Sequence, residues 1–188
     1  MRRVCRLLLA AWLCTPSIRL EAQDGLSLGA GGGPVFISGD IGWNALGLVR
    51  YTPTGWPVGF RVDGSYNSID LDNPFISIFP SVATTFDTRI GAAMFSVVYQ
   101  AHGAGSYLLA SAGATRTSVT THALGVEATT SSTDFAAGVG IGFNIRLSRS
   151  ARLFLEGRFI RIFESDRHSE GHMDVVPINL GFTFDLGH

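Results

Sequence analysis

Five histidine and carboxylate side chains near the C terminus have the residue types and spacing to bind a divalent metal ion. In the segment "SDRHSEGHMD" they occupy alternate positions: Asp166, His168, Glu170, His172 and Asp174. An extended backbone would place all five on one face, and imidazole and carboxylate groups are ligands for Zn²⁺ and similar ions. Alternate positions are about 6.6 Å apart on a strand, too far for easy chelation without a bend. We therefore predict a solvated external hairpin, with metal binding as the alternative.

A second set of charged residues has the composition of ion pairs. Its members are Arg61, Asp63, Arg146, Glu156, Arg158 and Asp185. They lie within alternating stretches, on the face opposite apolar residues such as Val62 and Leu155. In a narrow barrel interior, guanidinium and carboxylate groups would satisfy one another in place of water. We predict that these residues neutralise one another in a filled lumen; the alternative is a charged gate in a small pore.

Several enzyme chemistries are excluded by residues that the sequence lacks. All 14 basic residues are arginine, so a P-loop lysine and a Schiff-base lysine are both excluded. The H-E-x-x-H, G-x-S-x-G and G-x-G-x-x-G patterns are also absent. We predict that the protein is not an enzyme and has no cofactor.

Charge and hydrophobicity limit the partners and the compartment. Charged residues make up 15% of the chain and the net charge is −1, with no basic run, which argues against nucleic-acid binding. Arg2 and Arg3 precede a short apolar run, which predicts a cleaved signal peptide over residues 1–22 rather than a membrane anchor. Both cysteines, Cys5 and Cys14, fall inside it. The remaining residues, 23–188, are predicted to form one domain without disulfides.

Eight stretches of about ten residues alternate between apolar and polar or small side chains. They are Leu26–Ile37, Asn44–Tyr51, Val58–Ile69, Thr88–Gln100, Ser106–Ser118, Asp134–Leu147, Arg152–Glu164 and Val175–Leu186. This period of two predicts strands. Short turns such as "TPTGWP", "AHGAG" and "SRS" alternate with connections that are mostly longer. The pattern predicts an all-β fold, an eight-stranded antiparallel up-and-down transmembrane β-barrel with its turns at one end and its loops at the other.

The composition of the polar faces decides which solvent the apolar faces meet. A water-exposed surface should be about 25–35% charged, but the predicted strand around Ile141 has Gly138, Gly140 and Gly142 on its opposite face. Such small residues favour a packed interior and therefore a lipid-exposed apolar face. Aromatic residues near the predicted strand ends are typical of interfacial belts: Trp43, Tyr51, Trp56, Tyr66, Tyr99, Tyr107 and Phe184. The alternative is a soluble periplasmic lipocalin-like barrel that binds an apolar small molecule inside.

The last predicted strand carries the most specific signal. Asn179, Gly181, Phe184 and Leu186 have the polar, glycine and hydrophobic spacing of strands that the barrel-assembly machinery takes as substrates. Together with the signal peptide, the strand count and the loop asymmetry, this makes residues 25–186 resemble the small eight-stranded outer-membrane β-barrels of the OmpA transmembrane-domain and OmpX type. One departure is the ending "DLGH", where many members finish on phenylalanine.

The resemblance implies a monomer in the outer membrane of a Gram-negative-type cell, with the lipid bilayer and the barrel-assembly machinery as partners. It also implies a structural or surface-interaction role: barrier integrity, or adhesion and recognition through external loops at residues 70–88, 117–133 and 165–174. The first of these loops contains an apolar patch that could contact a partner or cap the barrel: Phe75, Ile76, Ile78 and Phe79.

Overall fold

The fold is a closed barrel in which every strand pairs with its neighbours in sequence. The computed structural model describes residues 25–37, 40–71, 85–100, 105–123, 126–163 and 171–186. Eight antiparallel strands follow one another: β1 (Gly25–Ile37), β2 (Asp40–Thr52), β3 (Val58–Leu71), β4 (Thr85–Tyr99), β5 (Ser106–Ala123), β6 (Val126–Arg146), β7 (Ala151–Phe163) and β8 (His172–Asp185). β1 pairs with β8 to close the barrel. The predicted fold class is confirmed.

The register fixes the tilt of the strands. Paired residues followed once around the barrel from Ser27 of β1 return to β1 at Ile37, ten residues further along. A shear of ten across eight strands tilts each strand by about 40° from the barrel axis. A strand with this tilt needs about ten residues to cross an apolar layer about 25 Å tall. The predicted stretches have this length.

The apolar face of β8 points outward. Ile178, Leu180, Phe182 and Phe184 are 40–54% exposed, whereas the alternating Asn179, Gly181 and Thr183 are buried. The same pattern holds on the other strands: Val139, Ile141 and Phe143 of β6 are all exposed. This direction contradicts the lipocalin-like alternative, which requires apolar side chains inside and a hydrated surface outside. No helix among the described residues is long and apolar enough to cross a membrane.

The strands extend beyond the predicted boundaries at the end that bears the longer connections. β5 runs to Ala123 and β6 starts at Val126, so the predicted loop at 117–133 is instead a long hairpin. This segment is rich in threonine, whose branched Cβ favours extended backbone. β4 begins at Thr85 and β8 at His172, which also shortens the predicted loops at 70–88 and 165–174. The apolar patch at 75–79 lies outside the described residues.

The lumen is filled by two layers of different character. Polar and charged side chains, together with two small apolar clusters around Phe154 and Val98, occupy the half nearer the short turns. An apolar cluster occupies the half nearer the longer connections and consists of Val35, Ile37, Ile69, Ile90, Met94, Ala136, Ile160, Ile162 and Val175. Both layers are assembled from several strands, because each strand contributes only alternate residues to the interior.

Candidate functional site

Four charged side chains cross the lumen and form what we call the cross-barrel cluster: Arg61, Asp63, Glu156 and Arg158. β3 supplies the first two and β7 the other two, and three strands separate β3 from β7 on either side. Arg61 Nη1 lies 2.7 Å from Glu156 Oε2, and Arg158 Nη1 lies 2.8 Å from Asp63 Oδ2. The cluster therefore ties opposite walls of the barrel together.

Each guanidinium of the cluster also contacts the carboxylate on its own strand. Arg158 Nε donates to Glu156 Oε1 at 2.6 Å, and Arg61 Nε lies 3.1 Å from Asp63 Oδ1. Two positive charges and two negative charges thus alternate in a closed ring. All four side chains are at most 4% exposed. A ring of this kind compensates buried charge by direct pairing, as the low dielectric of the interior requires.

Neutral groups from other strands add hydrogen bonds to the carboxylates of the cluster. The Tyr107 hydroxyl of β5 donates to Glu156 Oε2 at 2.7 Å, and the Ser96 hydroxyl of β4 donates to Asp63 Oδ1 at 3.4 Å. The Arg50 guanidinium lies 5.8 Å from the centre of the Tyr107 ring and donates to Gln100 Oε1 at 3.0 Å. These contacts join Ser96, Tyr107 and Arg50 to the cross-barrel cluster.

The two remaining residues of the predicted ion-pair set lie nearer the short turns. Asp185 accepts a hydrogen bond from Arg152 Nη2 at 3.2 Å. Arg146 is half-exposed at the end of β6, where its Nε donates to the Ser148 carbonyl at 3.1 Å. Sequence reasoning missed Arg152, although it alternates with Glu156 and Arg158 along β7 and that parity places it inside.

A small cavity lies between the polar and apolar layers. Three buried asparagines line it, and their Oδ1 atoms have no hydrogen-bond partner: Asn44, Asn67 and Asn179. Its volume of about 20 Å³ exceeds the roughly 10–15 Å³ that one water molecule needs. One water molecule in this space could donate to two of the three acceptors.

The four residues of the predicted assembly signal divide between the two faces of β8. Asn179 and Gly181 point into the lumen and are buried, whereas Phe184 and Leu186 are 52% and 54% exposed on the outer wall. A Cβ on Gly181 would collide with the Ala30 carbonyl and with the Phe154 ring. The glycine is therefore required by the folded barrel itself, at the seam where β8 closes on β1.

Several solved structures share this architecture. The attachment invasion locus protein Ail of Yersinia pestis matches over 88% of this chain and 100% of its own, with 14% identity and a TM-score of 0.53. Neisserial surface protein A matches over 86% of this chain and 96% of its own, with 13% identity and a TM-score of 0.55. The N-terminal β-barrel domain of Pseudomonas aeruginosa OprF matches over 86% and 98%, with 14% identity and a TM-score of 0.55. The chain has the fold of the small eight-stranded outer-membrane β-barrels. No protein-family model and no curated protein matches it.

The outer wall carries the aromatic belts expected of an outer-membrane barrel, with one exception. Trp43 and Tyr66 are exposed near the upper edge of the apolar wall, with ring centres 5.5 Å apart, and Tyr51 and Tyr99 are exposed near the short turns. Tyr107 was predicted to belong to a belt but is 3% exposed inside the lumen. The sequence "YLLA" is apolar at both parities, so alternation alone does not show which face of β5 is inward.

The predicted metal-binding segment falls only partly within the described residues. Asp166, His168 and Glu170 lie outside them. Asp174 forms two hydrogen bonds with the Arg161 guanidinium, at 2.8 and 2.9 Å, on the outer wall. Across the described ranges, no three histidine, cysteine, aspartate or glutamate side chains gather as metal ligands.

Proposed function

We propose that this chain is an outer-membrane barrel with a closed lumen that acts at the cell surface through the part of its wall that rises above the apolar band. The observation that carries the proposal is the contrast between the two ends of the strands. The interior is filled by buried side chains, whereas β5 and β6 continue as a hairpin with exposed residues. A filled lumen serves transport poorly, and an extended external wall serves contact with partners.

The hairpin has the surface chemistry of a hydrogen-bonding partner site. Residues 128–133, "ATTSST", are all exposed, so both faces of β6 are accessible there. Thr120 Oγ1 and Thr129 Oγ1 lie 3.1 Å apart and link the two strands. Short hydroxyl side chains on two paired strands present donors and acceptors at little entropic cost. Two proteins that share the fold are described as an attachment invasion locus protein and a surface protein, which supports a role in attachment or recognition.

Shortening the hairpin tests this role without disturbing the barrel. Ser118 and Ser131 face each other in the register, so an Asn-Gly turn can replace residues 119–130. We expect cells that produce the shortened protein to adhere less to protein-coated glass and to a cultured cell monolayer. The barrel should still fold, which is seen as a heat-shifted gel band: the protein migrates differently before and after boiling. Thr120→Ala is the control, because it removes only the cross-strand hydroxyl contact.

Unchanged adherence of the shortened variant would refute a surface role for this hairpin. If the variant instead made cells more sensitive to detergent, the barrel would contribute to the membrane barrier. We infer a monomer without a cofactor and without a catalytic step, since the polar groups of the cross-barrel cluster are used in pairing with one another.

Export and assembly are part of the same proposal. Residues 1–22 act as a cleaved signal peptide, and the barrel-assembly machinery inserts the chain by reading β8. The expected result is an outer-membrane band that migrates differently before and after boiling, with the mass of residues 23–188. A soluble periplasmic band that heating leaves unchanged would overturn the localisation.

A further inference from the structure

The outer wall carries two arginines near the end of the strands that bears the longer connections. Arg89 of β4 and Arg116 of β5 are exposed and lie at the upper edge of the apolar band. Arg116 is paired in the register with Gly91, and Arg89 lies two residues beyond Gly91 on the same face. The two positions are thus diagonal neighbours, about 7–8 Å apart. Two positive charges therefore lie at neighbouring positions at the membrane–water interface.

Neither of these guanidiniums has a carboxylate partner among the side chains that the structure describes. Asp87, two residues further along β4, makes contacts of its own. Arg161, on another part of the wall and also near the border, differs because Asp174 pairs with it at 2.8 and 2.9 Å. The charge of Arg161 is therefore satisfied within the protein, whereas Arg89 and Arg116 repel each other unless an anion lies between them.

Directly below the arginines, the wall has a groove of about 420 Å³. The outward residues that line it are Gly64, Gly91, Ala93, Ala114, Arg116 and Thr133. Larger side chains stand around it: Tyr66 is paired with Gly91, and Phe135 is paired with Ala114. The groove is in the size range of small-molecule sites, about 300–1,000 Å³, and it faces the hydrocarbon layer.

We propose that this surface binds one lipid with an anionic phosphate headgroup. The phosphate contacts Arg89 and Arg116, and an acyl chain occupies the groove along Gly91 and Ala93. Guanidinium groups bind phosphate through paired N–H donors, and basic residues near a membrane surface attract anionic lipids. The positive charge of the two arginines matches the phosphate of such a lipid, and the apolar groove matches its acyl chain. The inference requires only the membrane-spanning fold and not the proposed role of the hairpin.

Trp43 provides a local reporter for the test. Its ring packs against Tyr66, next to the groove, whereas Trp56 lies in a short turn at the other end of the barrel. Trp56→Phe leaves Trp43 as the reporter in the chain of residues 23–188. That protein is refolded into phosphatidylcholine vesicles that contain increasing fractions of phosphatidylglycerol brominated in the acyl chain. Phosphatidylcholine brominated in the same way is the reference lipid.

We expect brominated phosphatidylglycerol to quench Trp43 at lower fractions than brominated phosphatidylcholine. Each of Arg89→Gln and Arg116→Gln should reduce that preference about fivefold, and Arg161→Gln should leave it unchanged. Gly91→Leu should weaken quenching by filling the groove, since a Cβ there meets no other atom. Gly157→Leu is its control, because Gly157 has equal space on β7 and lies outside the groove.

Three results would overturn the proposal. The first is an equal response to the two brominated lipids. The second is a preference that survives the double substitution of Arg89 and Arg116. The third is an equal loss in Arg161→Gln, which would indicate general attraction to charge. The heat-shifted gel band confirms that each variant is folded before its quenching is compared.

Discussion

At the scale of single residues, the cross-barrel cluster is the feature whose disruption should lower the free energy of unfolding the most. Its four charges are compensated only by one another and by neutral groups such as the Tyr107 hydroxyl. Burying a charge is costly, and the cost is recovered only while every partner is present. Loss of one member should therefore destabilise the barrel far more than loss of a pair on the outer wall.

Glu156→Gln tests this difference. The substitution removes the negative charge that Arg61 and Arg158 share, so we expect the free energy of unfolding to fall by about 3–5 kcal/mol. Asp174→Asn breaks the exposed pair with Arg161 and should have a much smaller effect, because water screens ion pairs on the outer wall. Urea unfolding of the refolded protein in lipid vesicles measures both values. Equal losses in the two variants would show that the buried ring contributes no more to the free energy of unfolding than the exposed pair.

Gly181→Ala tests the close approach at the barrel seam. The added Cβ meets the Ala30 carbonyl and the Gly31 Cα, which belong to backbone and cannot rotate away. We expect a loss of about 1–3 kcal/mol, as for other overpacked sites, and a lower yield of heat-shifted protein. Gly157→Ala adds the same methyl group into open space and should leave the yield unchanged.

At the scale of elements, the two faces of β8 have different roles. Its inward residues complete the lumen, and its outward residues face the lipid without lumen contacts. These roles can be tested separately, because substitutions on the outer face leave interior packing intact. If β8 is also the assembly signal, its outer face matters in the cell more than in a refolding mixture.

Phe184→Ser should therefore lower the amount of barrel in the outer membrane of producing cells severalfold, while refolding of the purified chain into detergent stays close to the unmodified yield. Phe60→Ser, an equivalent exposed change on β3, is the control. If both variants accumulate equally in cells, recognition of β8 through this residue is refuted. If Phe184→Ser also fails to refold, its effect is on stability.

At the scale of the whole molecule, two layers close the lumen in series. The cross-barrel cluster links opposite strands in the half nearer the short turns, and the apolar cluster fills the other half. Ions would have to pass a ring of paired charges and then a layer of buried apolar side chains. Either layer is sufficient to block a barrel of eight strands, whose interior is only wide enough for side chains.

In a planar bilayer, the protein should therefore produce no stepwise current. Replacement of all four cluster residues by serine should still give none, because the apolar layer remains. Steps should appear only when Ile160 and Ile90 are also replaced by glycine in the same protein. Regular ion-selective steps in the unmodified barrel would refute the closed lumen and restore the gate as the interpretation of the charged residues.

Much of this architecture can be predicted from local sequence. Alternation placed the eight strands, and the small residues opposite Ile141 indicated an interior rather than a hydrated surface. It failed where both parities have similar chemistry: Tyr107 was assigned to the outer wall. Alternation also failed above the membrane, where Thr120 lies in β5 and Thr129 in β6 although no alternating burial marks these parts of the strands.

The sequence by itself determined the strand count and the two faces of each strand, because a period of two is a property of each strand alone. The small residues on the polar faces indicated which face is inward, and the alternation put Arg61, Asp63, Glu156 and Arg158 on that face, but it did not identify Arg152. Only the tertiary structure decided which charges meet. Arg61 and Glu156 are 95 residues apart in the chain, and they are brought together by closure with a shear of ten across opposite walls. The groove beside Arg116 likewise depends on the register of four adjacent strands. Register is set by the whole closed barrel, so no single strand encodes it.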